Sequence, residues 1–139
     1  MRERVRMKIV KIVVILAVVY VGIVVVFETL IGTMQPQNDG TLVITTTDED
    51  GNANERVLSR LDVEGKVYVA VNHWPRAWYH DALARPDVQI TYGGETAAYT
   101  AVPVEGAEHD AVQTARPRGA LMSFLMGYAP RYFIRLDRA

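Results

Sequence analysis

Residues 72–80 read N-H-W-P-R-A-W-Y-H, with two Trp, one Tyr, two His and an Arg in nine positions of a chain that is 9% aromatic. The side chains suit a ligand more readily than a bond-breaking reaction. An indole stacks on a flat ring, a guanidinium offers a forked donor to an anionic group, and Asn and His reach ring heteroatoms. Pro75 is a residue favoured at the first position of a helix, and the free N–H groups of a helix start favour an anion. Asn72, His73, Trp74 and Arg76 are therefore the candidate contact surface for a planar, anionic or redox-active ligand. Trp78 and Tyr79 follow on the helix itself, where large rings most often pack a core, and they are counted with the candidate cofactor-binding residues. His73, His80 and Asp81 match no zinc spacing, so no metal site is expected. Ser59 and Ser123 lack the context of a nucleophile. No catalytic residue is singled out. Asp48, Glu49 and Asp50 lack the closing Glu of a calcium loop and read as a charged hairpin tip.

The elements that must position these residues are mostly strands. Residues 41–47 are rich in β-branched side chains, 55–62 follow a turn, and in 66–72 Val67, Val69 and Val71 alternate with Tyr68 and Ala70. A short helix over 75–84 ends at Arg85-Pro86, because a residue before proline is pushed out of the helical region. Strands 87–92 and 95–104 flank Gly93-Gly94, a favoured hairpin turn. A weak helix covers 106–115, residues 120–128 are ambiguous between helix and loop, and 132–136 reads as a last strand. About six short strands around two short helices predict a mainly β (α+β) barrel rather than a parallel sheet.

The threonine-rich strand T-L-V-I-T-T-T, the hairpin after it, and W-P-R-A-W-Y-H-D-A-L-A-R-P-D-V-Q-I together resemble the deazaflavin-dependent nitroreductase and quinone reductase family. The resemblance covers roughly residues 41–104. It implies a split β-barrel of the flavin-reductase type, often dimeric. It also implies a deazaflavin coenzyme of the 8-hydroxy-5-deazaflavin type, with FMN as runner-up. In the family the loop before the Pro-x-Trp-Tyr helix lies against the deazaflavin ring, and the matching positions are Asn72, His73 and Trp74. The family places basic residues at the first hairpin turn to hold the coenzyme's acidic tail, where this chain has Asp48, Glu49 and Asp50. Arg56, Arg131 and Arg135 are the candidate substitutes for the tail.

The first third of the chain does something else. An apolar stretch over residues 9–32, broken by Lys11 and Glu28, is about the length needed to cross a bilayer. It is longer than the apolar part of a signal peptide and ends in a poor cleavage site. The expected organisation is a basic segment and membrane anchor over 1–34, a polar linker over 35–40 and the barrel over 41–139. The net charge of −1 hides three blocks: five bases and one acid up to Lys11, 14 acids and five bases over 28–110, and five arginines and one acid thereafter. Bases next to an apolar span mark the cytoplasmic side, which places the barrel outside the cell membrane. The near-zero net charge gives no support for nucleic-acid binding, and the absence of Cys removes disulfide and thiolate chemistry.

Two functions follow as expectations. One is a membrane-anchored oxidoreductase passing hydride from a reduced cofactor to a quinone- or nitro-like acceptor. The other is a non-catalytic anchored binding module. A purely structural envelope protein has no positive feature. For the topology, a reporter fused to Ala139 that works only outside the cytoplasm should be active. Activity of a cytoplasmic reporter alone would overturn the orientation.

Overall fold

The computed structural model describes residues 1–34, 37–71, 74 and 76–139; the expectations for Asn72, His73 and Pro75 lie outside them. The chain opens with α1 (Arg2–Thr33), a helix of 32 residues and about 48 Å. None of its side chains is buried, and it is long and apolar enough to cross a membrane.

Six strands follow: β1 (Thr41–Thr47), β2 (Ala53–Val63), β3 (Lys66–Val71), β4 (Asp87–Tyr92), β5 (Glu95–Val104) and β6 (Tyr132–Arg138). They close into an antiparallel barrel in the order β1-β2-β3-β6-β5-β4, with β4 returning to β1. Period-two alternation puts one face of each strand inside. Leu42, Ile44, Leu58, Val69, Val71, Val88, Ile90, Ala101, Ile134 and Leu136 form the interior. The β4–β5 turn has φ of +59° at Gly93 and +81° at Gly94, the left-handed pair that a two-residue hairpin requires.

Three short helices decorate the barrel, one more than the sequence predicts. Helix α2 (Ala77–Ala84) starts two residues later than expected and plugs one mouth: Trp78 and Ala82 join the interior, as their i, i+4 spacing requires. Tyr79 lies on Tyr132 with ring centroids 5.5 Å apart. Helix α3 (Gly106–Ala115) covers the outer face of β3 and β6, where Val112 packs with Tyr68, Ala70, Val104 and Phe133. The ambiguous stretch resolves into α4 (Ala120–Leu125). It is polar-poor on all sides, so periodicity cannot reveal it.

Trp78 is 5% exposed, whereas Tyr79 is half-buried. Trp78→Ala should cost about 3–5 kcal/mol. Tyr79→Ala should cost less, about 1–2 kcal/mol, since a stacked ring adds about 0.5–1.5 kcal/mol beyond its burial. Urea midpoints of the two variants check the order; equal midpoints would place Trp78 outside the core.

Candidate functional site

The barrel mouth plugged by α2 is also where the chain gathers its cations. Strand pairing puts Arg56 opposite Ile44, so its side chain shares the inward face at the end of β2. Arg76 is the residue before α2. Both guanidinium groups reach α1. Arg56 donates through Nη1 to the carbonyl of Gly32 at 2.8 Å and through Nη2 to that of Ile31 at 3.0 Å. Arg76 Nη2 donates to the Glu28 carbonyl at 2.6 Å and pairs with Glu28 Oε2 at 3.1 Å. The last turn of α1 has no base of its own. The barrel supplies two cations to the negative end of that helix dipole. Burial, and then the charge of Arg76, lower the pKa of Arg56.

Beside these arginines lies a cleft of about 960 Å³, bounded by the β1–β2 turn on one side and α2 on the other. Its lining includes Arg56, Arg76, Trp78, His80 and Arg85 on the inner side and Asp48, Glu49 and Asp50 at the rim. Arg85 ties the two walls together: Nε donates to the Thr47 carbonyl at 2.6 Å and Nη2 to Asp81 at 3.1 Å. Three N–H donors of residues lining the cleft, Arg56 Nε, Arg76 Nε and Trp78 Nε1, and one acceptor, Glu28 Oε1, are buried without a partner among the described residues. An unsatisfied buried polar group costs about 1–3 kcal/mol, and the three donors outnumber the one acceptor left over beside them.

The rim has a different character. Asp48 holds its own turn, accepting from the backbone N–H of Asp50 at 3.0 Å and of Asn52 at 2.8 Å and from the side-chain amides of Asn52 and Asn54. The Asn52 backbone contact is the main cause of its lowered pKa. Asp48 is thus a turn former, and Glu49 and Asp50 are the freely solvated charges.

The other expected residues are distributed around this mouth and beyond it. Trp74, 49% exposed, lines a second hollow of about 460 Å³ with Val24, Val25, Glu28, Thr29 and Arg76. Arg76 therefore stands between the two hollows, with Trp78 on one side and Trp74 on the other. Arg135 sits on the outer face under α3, donating to Glu108 at 2.8 Å and Asp137 at 2.8 Å. Asp137, then Glu108, raise its pKa, and the guanidinium holds both carboxyls low in return. Tyr68 donates to Glu108 at 2.8 Å, and burial first, then Glu108, push its hydroxyl up to about 12. Arg131 donates to Gln113 and to the Arg116 carbonyl. Sequence reasoning missed Arg85, the buried Trp78 Nε1 and above all Glu28. The signal for Glu28 was present: Tyr20, Val24, Glu28 and Gly32 form an i, i+4 stripe along α1, and Glu28 is the acid on it.

Residues 20–126 match the family model described as F420H(2)-dependent quinone reductase. No functionally curated protein matches. Among solved structures, the barrel is similar to an F420-H2 dependent reductase, FDR-A, with a TM-score of 0.59 at 19% identity, covering 75% of this chain and 99% of that one. It is similar also to HutZ, a haem storage protein from Vibrio cholerae, with a TM-score of 0.54 at 18% identity over 74% and 84% of the two chains. PhzG from Burkholderia lata gives 0.55 at 15% identity over 73% and 67%. At these identities the structures establish the shared barrel.

The Arg76–Glu28 pair is testable by itself. Arg76→Ala leaves Glu28 unpaired, and the loss should be about 1–3 kcal/mol. That is less than the 3–5 kcal/mol of a fully buried pair, because the Arg76 side chain is 30% exposed. Faster hydrogen exchange near residues 30–34 reads it out. Glu28→Gln in the same background should recover part of the loss, and no recovery would mean that the pair contributes only through packing.

Proposed function

The chain belongs to the F420H(2)-dependent quinone reductase family, and from that premise we propose that it is a membrane-anchored oxidoreductase whose cleft between the β1–β2 turn and α2 holds a deazaflavin. The observation that carries the reading is the set of three buried donors on residues lining the cleft that have no acceptor among the described residues. Arg56, Arg76 and Trp78 would present N–H groups to carbonyl or phosphate oxygens. The cleft volume lies in the usual range of cofactor sites. When bound, the deazaflavin supplies a hydride, while the protein contributes binding, orientation and electrostatics. Arg85 keeps the walls at a set separation, and Trp78 closes the barrel beneath. Asn72 and His73 belong to the same proposal through the family resemblance.

The acceptor in this reading is lipophilic, of quinone or nitro type. Trp74 and the hollow it shares with Val24 and Val25 open beside the apolar helix, where a membrane-dissolved molecule would arrive. Arg76, lining both hollows, would stand between donor and acceptor. The span over residues 9–32, an N-terminus inside and a barrel outside are the topology that the charge blocks favour.

The acidic rim fits the acidic tail of such a coenzyme poorly, since like charges at close range repel by roughly 1 kcal/mol each even in water. It favours the second reading, an anchored module that binds without turnover. Titration of the full-length chain in detergent with a deazaflavin coenzyme, FMN and haem separates them. The deazaflavin should bind, and Glu49→Lys with Asp50→Lys should tighten it about tenfold, equivalent to about 1.4 kcal/mol, with Asp48 left to hold the turn. If no deazaflavin or flavin binds even with the rim reversed, the oxidoreductase reading fails and the binding module replaces it.

A further inference from the structure

Helix α4 is an oddity for a protein surface. Residues 120–128, A-L-M-S-F-L-M-G-Y, contain no charge. Leu121 is 72% and Tyr128 66% exposed, with Met122 and Phe124 exposed beside them. Contiguous exposed apolar side chains mark a contact surface.

The partner follows from where α4 sits along α1. The Tyr20 hydroxyl donates to the Phe124 carbonyl at 2.9 Å, and the two rings lie 4.8 Å apart. One turn on, Val24 lies so close to Gly127 that a Cβ there would come within 3.0 Å. A crossing helix needs about 20 residues. If it starts after Lys8 it ends at about Glu28, and if it starts after Lys11 it ends near Ile31. At 1.5 Å per residue, Tyr20 then lies about 12 to 17 Å inside the hydrocarbon boundary on the barrel side. Helical side chains lean toward the N-terminus, which takes the Tyr20 ring deeper still. Whatever touches Tyr20 lies at that depth too.

We propose that α4 and the turn after it form a second membrane-embedded element, with acyl chains of the bilayer covering Leu121, Met122 and Phe124. The proposal rests on the reading of α1 as a span. From Ser123 onward the backbone goes far toward the condition that lipid imposes, internal satisfaction of polar groups, while the first N–H groups of α4 have no side-chain cap. Ser123 N–H bonds to Gly119, Met126 N–H to Met122, Gly127 N–H to Phe124 and Tyr128 N–H to Ser123. The Phe124 carbonyl accepts from Tyr20 as well. Arg118 bonds the Ser123 hydroxyl at 3.1 Å and the Ala129 carbonyl at 2.7 Å, closing the base of the element. Along α1, with Leu125 of α4 at its side, lies a wholly apolar hollow of about 470 Å³ lined by residues that include Gly22, Val26 and Leu30.

The native chain has no cysteine, so single nitroxide labels are unambiguous. Leu121→Cys and Met122→Cys would be labelled in the full chain in phosphatidylcholine nanodiscs, with Val14→Cys in mid-span and Asp110→Cys on α3 as references. The measurement is accessibility to oxygen against a water-soluble nickel chelate. Labels at 121 and 122 should match Val14, with an oxygen-to-nickel ratio several-fold above that at Asp110. A lipid-like Val14 with nickel-accessible 121 and 122 overturns the proposal and leaves the anchor standing. Nickel access at all sites overturns both. Labels at 121 and 122 shielded from both reagents would show a second copy of the chain covering α4, which also overturns the proposal.

Discussion

The C-terminal end of α1 is held by two arginines that belong to the barrel, and much of the molecule's arrangement depends on this contact. A helix end leaves carbonyls without intrahelical donors, and α1 ends without a base to offset its dipole. Arg56 and Arg76 provide the donors for Glu28, Ile31 and Gly32. Without them, the helix would be joined to the barrel chiefly by the linker and by the apolar stripe at Tyr20 and Val24. With them, the helix axis is locked against the mouth that α2 closes. Helix α1, cleft and mouth are thereby one mechanical unit.

The same cations shape the cleft. Two guanidinium groups side by side raise each other's demand for negative charge, and Glu28 answers only part of it. Among the described residues the Nε donors of both are buried without partners, together with Trp78 Nε1. Across the same cleft, at the β1–β2 turn, the sign reverses at Glu49 and Asp50. The cleft is thus donor-rich within and acidic at its lip. On the far face of the sheet, Arg135 is committed to Glu108 and Asp137. That network lashes α3 to β6, and Glu108 adds to the burial that raises the pKa of Tyr68. Both carboxyls have lowered pKa values, so their contribution is complete above the ordinary carboxyl range and is lost as the pH falls below it.

The barrel and its α2 plug were legible because they rest on local rules. Alternation in β3, the Gly-Gly turn and the i, i+4 pair Trp78 and Ala82 each state which side faces in, and the physics of burial then leaves one arrangement. The family resemblance in the Trp-Tyr helix was legible for the same reason: it lies within a single short segment. Helix α4 was not, because a stretch that is apolar all round has no period to read.

What the sequence by itself determined about this protein is therefore its parts: an apolar helix with a basic start, a β domain of about six strands, and an aromatic helix between two of them. Only the tertiary structure decided what the arginines do. Arg56 and Arg76 are separated by 20 positions in the chain, and Glu28 lies nearly 50 positions before Arg76. Ion pairs and helix-end donors over such distances leave no periodic trace, because they depend on barrel closure bringing β2 and the start of α2 to the same mouth. For the same reason Trp74 and Trp78, four residues apart, face different hollows: the helix start turns one ring toward α1 and the other into the barrel.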